Sequence, residues 1–153
     1  MEKQVFEKAF SESLNKNFNE YVKYFDFEYK HFFDLRPLTF QITKCLILEL
    51  DFAVITLTNH FLERLLKLAL ISKSVGIKPI PTELWNAVFA EPVKKYTSIN
   101  LGSSIEFCFK ENLIIDSEKE TLYTVIRELM RNGFSHADTS KILENVPDEM
   151  PMF

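Results

Sequence analysis

Apolar residues in this chain return at every third or fourth position, and that spacing commits most of it to helix. Fifteen phenylalanines carry much of the pattern. From Val5 to about Phe33 it passes through Phe6, Phe10, Leu14, Phe18, Val22, Phe25 and Tyr29 before Phe32 or Phe33. All fall on one flank of a single long amphipathic helix. Arg36-Pro37 closes the run, because proline has no amide proton and disfavours helical geometry in the residue before it. A turn is expected there, folding the first two long helices into an antiparallel hairpin.

The next stretch, Thr39 to about Ser74, is apolar nearly all round in its first half. Its Leu46, Leu48, Leu50, Phe52 alternation also fits a buried strand. The second half, with Phe61, Leu62, Leu65, Leu66, Leu68 and Ala69, is helical by spacing, and no turn residue divides the two. The expectation is therefore one buried helix of about 35 residues, about 50 Å long at 1.5 Å per residue, ended by Val75-Gly76. Residues 77–81 form an extended connector. Thr82 to Tyr96 hold a short helix or two, limited by Pro92. Ser103 or Ser104 caps a helix to about Leu113, and Ser117 with Glu120 offers a capping box for the next. That helix carries Leu122, Val125, Ile126, Leu129 and Met130 and stops near Asn132-Gly133. Asp138 or Thr139 opens a last short helix through Val146, and the tail 147–153 is expected to be loose. With no repeat, low-complexity tract or long linker, residues 1–153 read as a single all-α domain. Its architecture is an antiparallel helical bundle with two long helices and several shorter ones.

Composition removes several function classes. The glycines, Gly76, Gly102 and Gly133, belong to no GxGxxG or GxxxxGK run, so the phosphate cradles of dinucleotide folds and P-loops are absent. Cys45 and Cys108 form no CxxC pair, and the three histidines show no HxxxH or HExxH spacing, so no metal and no cofactor is expected. A formal net charge of -4 excludes the global positive field of a strong nucleic-acid binder and leaves only local contacts. The opening residues lack a basic stretch followed by an apolar one. The most apolar region is interrupted by Lys44, Glu49, Asp51, Glu63, Arg64 and Lys67. The expectation is a cytoplasmic protein without a membrane span.

Chemistry concentrates near the end of the chain. Arg131 is followed five residues later by His136, with Asn132 and Gly133 between them and Arg127 one turn earlier. In an α-helix residues five apart point about 140° away from each other, so the pair converges only if the helix breaks, as Gly133 allows. Histidine titrates near neutrality and moves protons, while a guanidinium grips phosphate oxygens and offsets transition-state charge. Together they suit metal-free cleavage of RNA, whose own 2'-hydroxyl is the nucleophile. The plainer reading is a cation pair at a helix C-terminus, worth some tenths to about one kcal/mol. For His60, Glu63 and Lys67 it is a solvated or salt-bridged face.

Arg131-Asn132 followed by His136, set after a long amphipathic helix, resembles the RxxxxH motif of the HEPN superfamily. The stretch Asn59 to Lys67 is similar in character to the polar-studded second helix of such domains, and the resemblance covers about Thr39 to Val146. It implies a bundle-like domain, often a homodimer with two motifs facing one cleft. Many members are metal-independent ribonucleases of toxin-antitoxin, abortive-infection or CRISPR-associated systems, frequently paired with a nucleotidyltransferase-type antitoxin; others lack activity. By that resemblance Arg131 binds the scissile phosphate, His136 transfers the proton, and Asn132 orients one of them. Glu63 is a candidate polar partner from an earlier helix, and Arg127 and Lys141 are candidate RNA contacts. The alternative is an inactive helical module that binds a protein partner.

Overall fold

A computed structural model describes residues 3–24 and 31–133, the last six of them by backbone alone. These residues form helices and turns and no strand, so the fold class is all-α. The chain separates into two compact units, Met1–Leu65 and Leu66–Phe153.

The first unit opens with α1, Lys3–Tyr21, which passes into a 3-10 turn at Val22–Tyr24. The single helix expected to reach Phe33 is thus shorter. Its apolar stripe is also not core: Phe6, Leu14 and Phe18 are about half exposed, and the buried residue of α1 is Asn17. A second 3-10 turn, Phe33–Leu35, leads into α2, Arg36–Ile47. Pro37 sits in the first turn of α2 rather than in a turn between helices, a place where its missing N–H has no helical partner to lose. Leu35, Thr43 and Ile47 are the buried residues here.

The expected 35-residue helix is broken. After α2 the chain turns through Leu48, Glu49 and Leu50 and restarts as α3, Asp51–Val75. Leu50 N–H donates to Cys45 O at 2.9 Å and Glu49 N–H to Leu46 O at 3.2 Å, the paired bonds of a Schellman stop. Glu49 takes the left-handed conformation, φ 56, which glycine normally fills. Its carboxylate accepts from Lys16 Nζ at 2.7 Å, Asn17 Nδ2 at 3.1 Å and Ser13 Oγ at 3.2 Å, and Asn17 Nδ2 also donates to Ile47 O at 3.1 Å. A polar clasp from α1 therefore holds a corner that local residue preference disfavours.

The second unit is built on the C-terminal part of α3, which stops at Gly76, φ 81, as expected. A 3-10 turn, Thr82–Leu84, leads into α4, Trp85–Thr97, which runs through Pro92. The proline removes one helical hydrogen bond, but packing of Tyr96, 3% exposed and edge-on to Phe107 at 6.2 Å, holds the last turn in place. The cap of α5, Leu101–Lys110, is Asn100, not Ser103 or Ser104: its side chain accepts from Ser103 N–H at 2.9 Å. This helix ends at Lys110, short of Leu113, in another Schellman stop with Asn112 at φ 55. Next, α6, Asp116–Thr121, starts with Glu118 accepting from Ile115 N–H at 2.9 Å, two residues ahead of the expected Ser117–Glu120 box. It continues as a π-helical segment, Leu122–Gly133. Leu66, Leu70, Ile71, Tyr96, Leu101, Ile105 and Cys108 form the core of this unit. The expected helix from Asp138 or Thr139 to Val146 and the tail 147–153 lie outside the described residues.

Candidate functional site

Arg127 is the candidate cation whose surroundings the structure gives in most detail. Its guanidinium lies 5.3 Å from the ring centre of Tyr123, one turn back on the π-helical segment, a cation–π contact. The Tyr123 hydroxyl donates to Gly102 O at 3.3 Å. Gly102 is in the first turn of α5, and a Cβ placed there would meet Arg127 Nε at 3.3 Å and Asn100 Oδ1 at 3.4 Å. The missing side chain at 102 is what lets the guanidinium rest against the start of α5. Beside it, Lys119 Nζ contacts the Glu106 carboxylate at 3.0 Å and lies 4.5 Å from the Phe109 ring centre.

Among the described residues this cluster is polar and charged, and neither Glu106 nor Tyr123 is shifted toward neutral pH. The hydrogen bond from Lys119 keeps the Glu106 carboxyl below its ordinary range. Desolvation, then the bond and charge of Glu106, pushes the Tyr123 phenol above its ordinary value. Both shifts move away from pH 7. Phosphate binding is what the cluster can supply, through the guanidinium of Arg127.

Arg131 and Asn132 lie on the π-helical segment, described there as backbone. Bonds from i to i+5 widen each turn, so positions 131 and 132 fall one turn beyond Arg127. The segment is π-helical up to Gly133, and the expected break that would bring His136 back to Arg131 lies outside the described residues. His136 and Lys141 lie outside the described residues. Glu63 is half-buried on α3 and belongs to the first unit, whereas Arg127 belongs to the second. Among the described residues no group of three His, Cys, Asp or Glu side chains could hold a metal ion, and no helix is long and apolar enough to cross a membrane.

Two residues, one in each unit, escaped sequence reasoning. Gly102 reads as one more residue of a helix start, and only its closeness to Arg127 gives it a role. Glu49 reads as one polar interruption in an apolar run, with no local sign of its left-handed backbone. Comparison of the chain with protein-family models, curated proteins and solved structures finds no match.

Proposed function

We propose that this protein is a metal-independent endoribonuclease of HEPN type, with Arg131, Asn132 and His136 as its chemical residues. The observation that carries the reading is the Arg131-Asn132 to His136 spacing, on and just beyond the segment where Arg127 is held by Tyr123 and Gly102. The substrate 2'-hydroxyl attacks the adjacent phosphorus and the P–O5' bond breaks, leaving a 2',3'-cyclic phosphate and a 5'-hydroxyl. His136 moves the proton, Arg131 offsets the charge that builds on phosphorus, and Arg127 and Lys141 contact flanking phosphates. The fold in this reading is a HEPN-like antiparallel bundle. A homodimer sets two motifs in one cleft, and an antitoxin of nucleotidyltransferase type or another partner controls access. Toxin-antitoxin or phage-defence service in the cytoplasm is the matching biological setting.

A DNA oligonucleotide carrying one ribonucleotide tests the chemistry, since it must be cut only 3' to that ribose. Cutting at other positions, or products ending in 3'-hydroxyl, would remove the 2'-hydroxyl mechanism. The second reading, an inactive module that binds a protein partner, draws on the half-exposed Phe6, Leu14 and Phe18 of α1 and on the net charge of -4.

A further inference from the structure

Phe33, Arg36, Pro37 and Phe40 line an open groove of about 440 Å³ at the start of α2. Phe32 stands at φ 60, ψ 45, a left-handed conformation that is costly for a bulky residue, and the next ring, Phe33, is 67% exposed. Phe40 is 48% exposed, with Lys44 Nζ 4.9 Å from its ring centre. The Arg36 side chain makes no ion pair or hydrogen bond among the described residues. Asp34, the acid nearest in sequence, is already paired with Arg64 at 2.8 Å. Arg36, Phe40 and Lys44 follow at intervals of four on α2, so a cation, a ring and a second cation share one helix face.

We propose that this groove binds one nucleotide of a single-stranded RNA, the base lying against Phe33 and Phe40 and an adjoining phosphate on Arg36. The inference rests on the RNA reading above and adds a binding subsite outside the residues assigned to the chemistry. Every base has a flat π-face that stacks on exposed aromatic rings, and a guanidinium matches phosphate oxygens bidentately. The positive end of the α2 dipole, which opens at Arg36, adds to the attraction for an anion. An inorganic anion would not use the exposed Phe33 ring, and a neutral apolar segment would leave Arg36 unmatched. A nucleotide uses all of them.

The test is binding of a fluorescein-labelled 2'-O-methyl octauridylate, which cannot be cleaved, to the full chain by anisotropy. Phe33→Ala is expected to weaken binding about 5- to 150-fold, the range of one base–aromatic stack, and Phe33→Trp to retain it. Arg36→Gln is expected to weaken binding and to lower the slope of log K against log salt by about 0.7. Both positions are exposed, and unchanged helical circular dichroism checks the fold. Failure of the folded wild type to bind, or binding by Phe33→Ala and Arg36→Gln as tight as that of wild type, overturns the proposal. Cleavage is scored separately on unmodified RNA. Binding that depends on Phe33 and Arg36 without cleavage upholds the groove and removes the nuclease reading, whereas cleavage with groove variants that bind like wild type removes the groove alone.

Discussion

Replacing Gly102 with alanine should leave the stability of the second unit nearly unchanged while displacing Arg127. The gain is the ordinary helical advantage of alanine over glycine, about 0.5 to 1 kcal/mol. The opposing cost comes from the new Cβ, 3.3 Å from Arg127 Nε, 3.7 Å from its Cζ and 3.4 Å from Asn100 Oδ1. The nearest of these atoms belong to the end of a flexible side chain, which has only to retreat a few tenths of an ångström. The most it can forfeit is its contact with Tyr123, about 0.5 to 1 kcal/mol for an exposed cation–π pair. The net change is therefore expected between about 0.5 kcal/mol of destabilisation and about 0.5 kcal/mol of stabilisation, or within about 2 °C in melting temperature. Urea unfolding followed by fluorescence of Trp85, the one tryptophan of the chain and part of the same unit, reads this as a nearly unchanged midpoint at unchanged slope. In the Arg127→Ala background the gain should reach the full helical value, giving a coupling of about 0.5 to 1 kcal/mol between the two sites. A loss of more than about 1 kcal/mol, or no coupling, would refute the claim that position 102 is left bare for Arg127.

Three further outcomes follow from the packing. Leu70→Ala, at a core position 1% exposed, should cost about 2–5 kcal/mol in the same urea experiment. Asn100→Ala removes the cap of α5 and should cost about 0.5–2 kcal/mol, with Asn100→Ser recovering most of it. The Glu49 carboxyl is lowered from 4.5 to about 2, first by the hydrogen bond from Lys16 and then by those from Asn17 and Ser13. A lowered carboxyl stabilises the fold above its ordinary value and loses that contribution as pH falls, so the clasp on α1 should weaken between pH 4.5 and about 2. Glu49→Gln should flatten the stability profile across that window, as circular dichroism melts at stepped pH will show.

Helix was legible wherever apolar spacing and a strong stop agreed, as in the second half of α3 running to Gly76. It was misread where tertiary contacts outweigh residue preference. Glu49 carries a left-handed corner because three side chains of α1 hold its carboxylate, and Pro92 lies inside α4 because Tyr96 is locked into the core. Neither contact has a local trace in the sequence. The cap at Asn100 was open to reading, since asparagine ahead of the apolar series Leu101, Ile105, Cys108 is a strong start signal. Of the candidate site, Arg127 could be named from its place before Arg131, but its rest against Gly102 depends on how the π-helical segment packs on α5. The groove at Arg36 was visible only as a proline-marked boundary, because the exposure of Phe33 depends on the backbone of Phe32.

The central claim is metal-free RNA cleavage with His136 in the chemistry, and it is tested most directly by incubating a mixed RNA pool with the protein in excess EDTA, beside His136→Ala of matched circular dichroism. The account predicts cleavage by the wild type that survives chelation, leaves cyclic phosphate ends and disappears in the folded variant. A well-folded wild type that leaves the RNA intact, or a His136→Ala protein that cuts as fast as wild type, would contradict it.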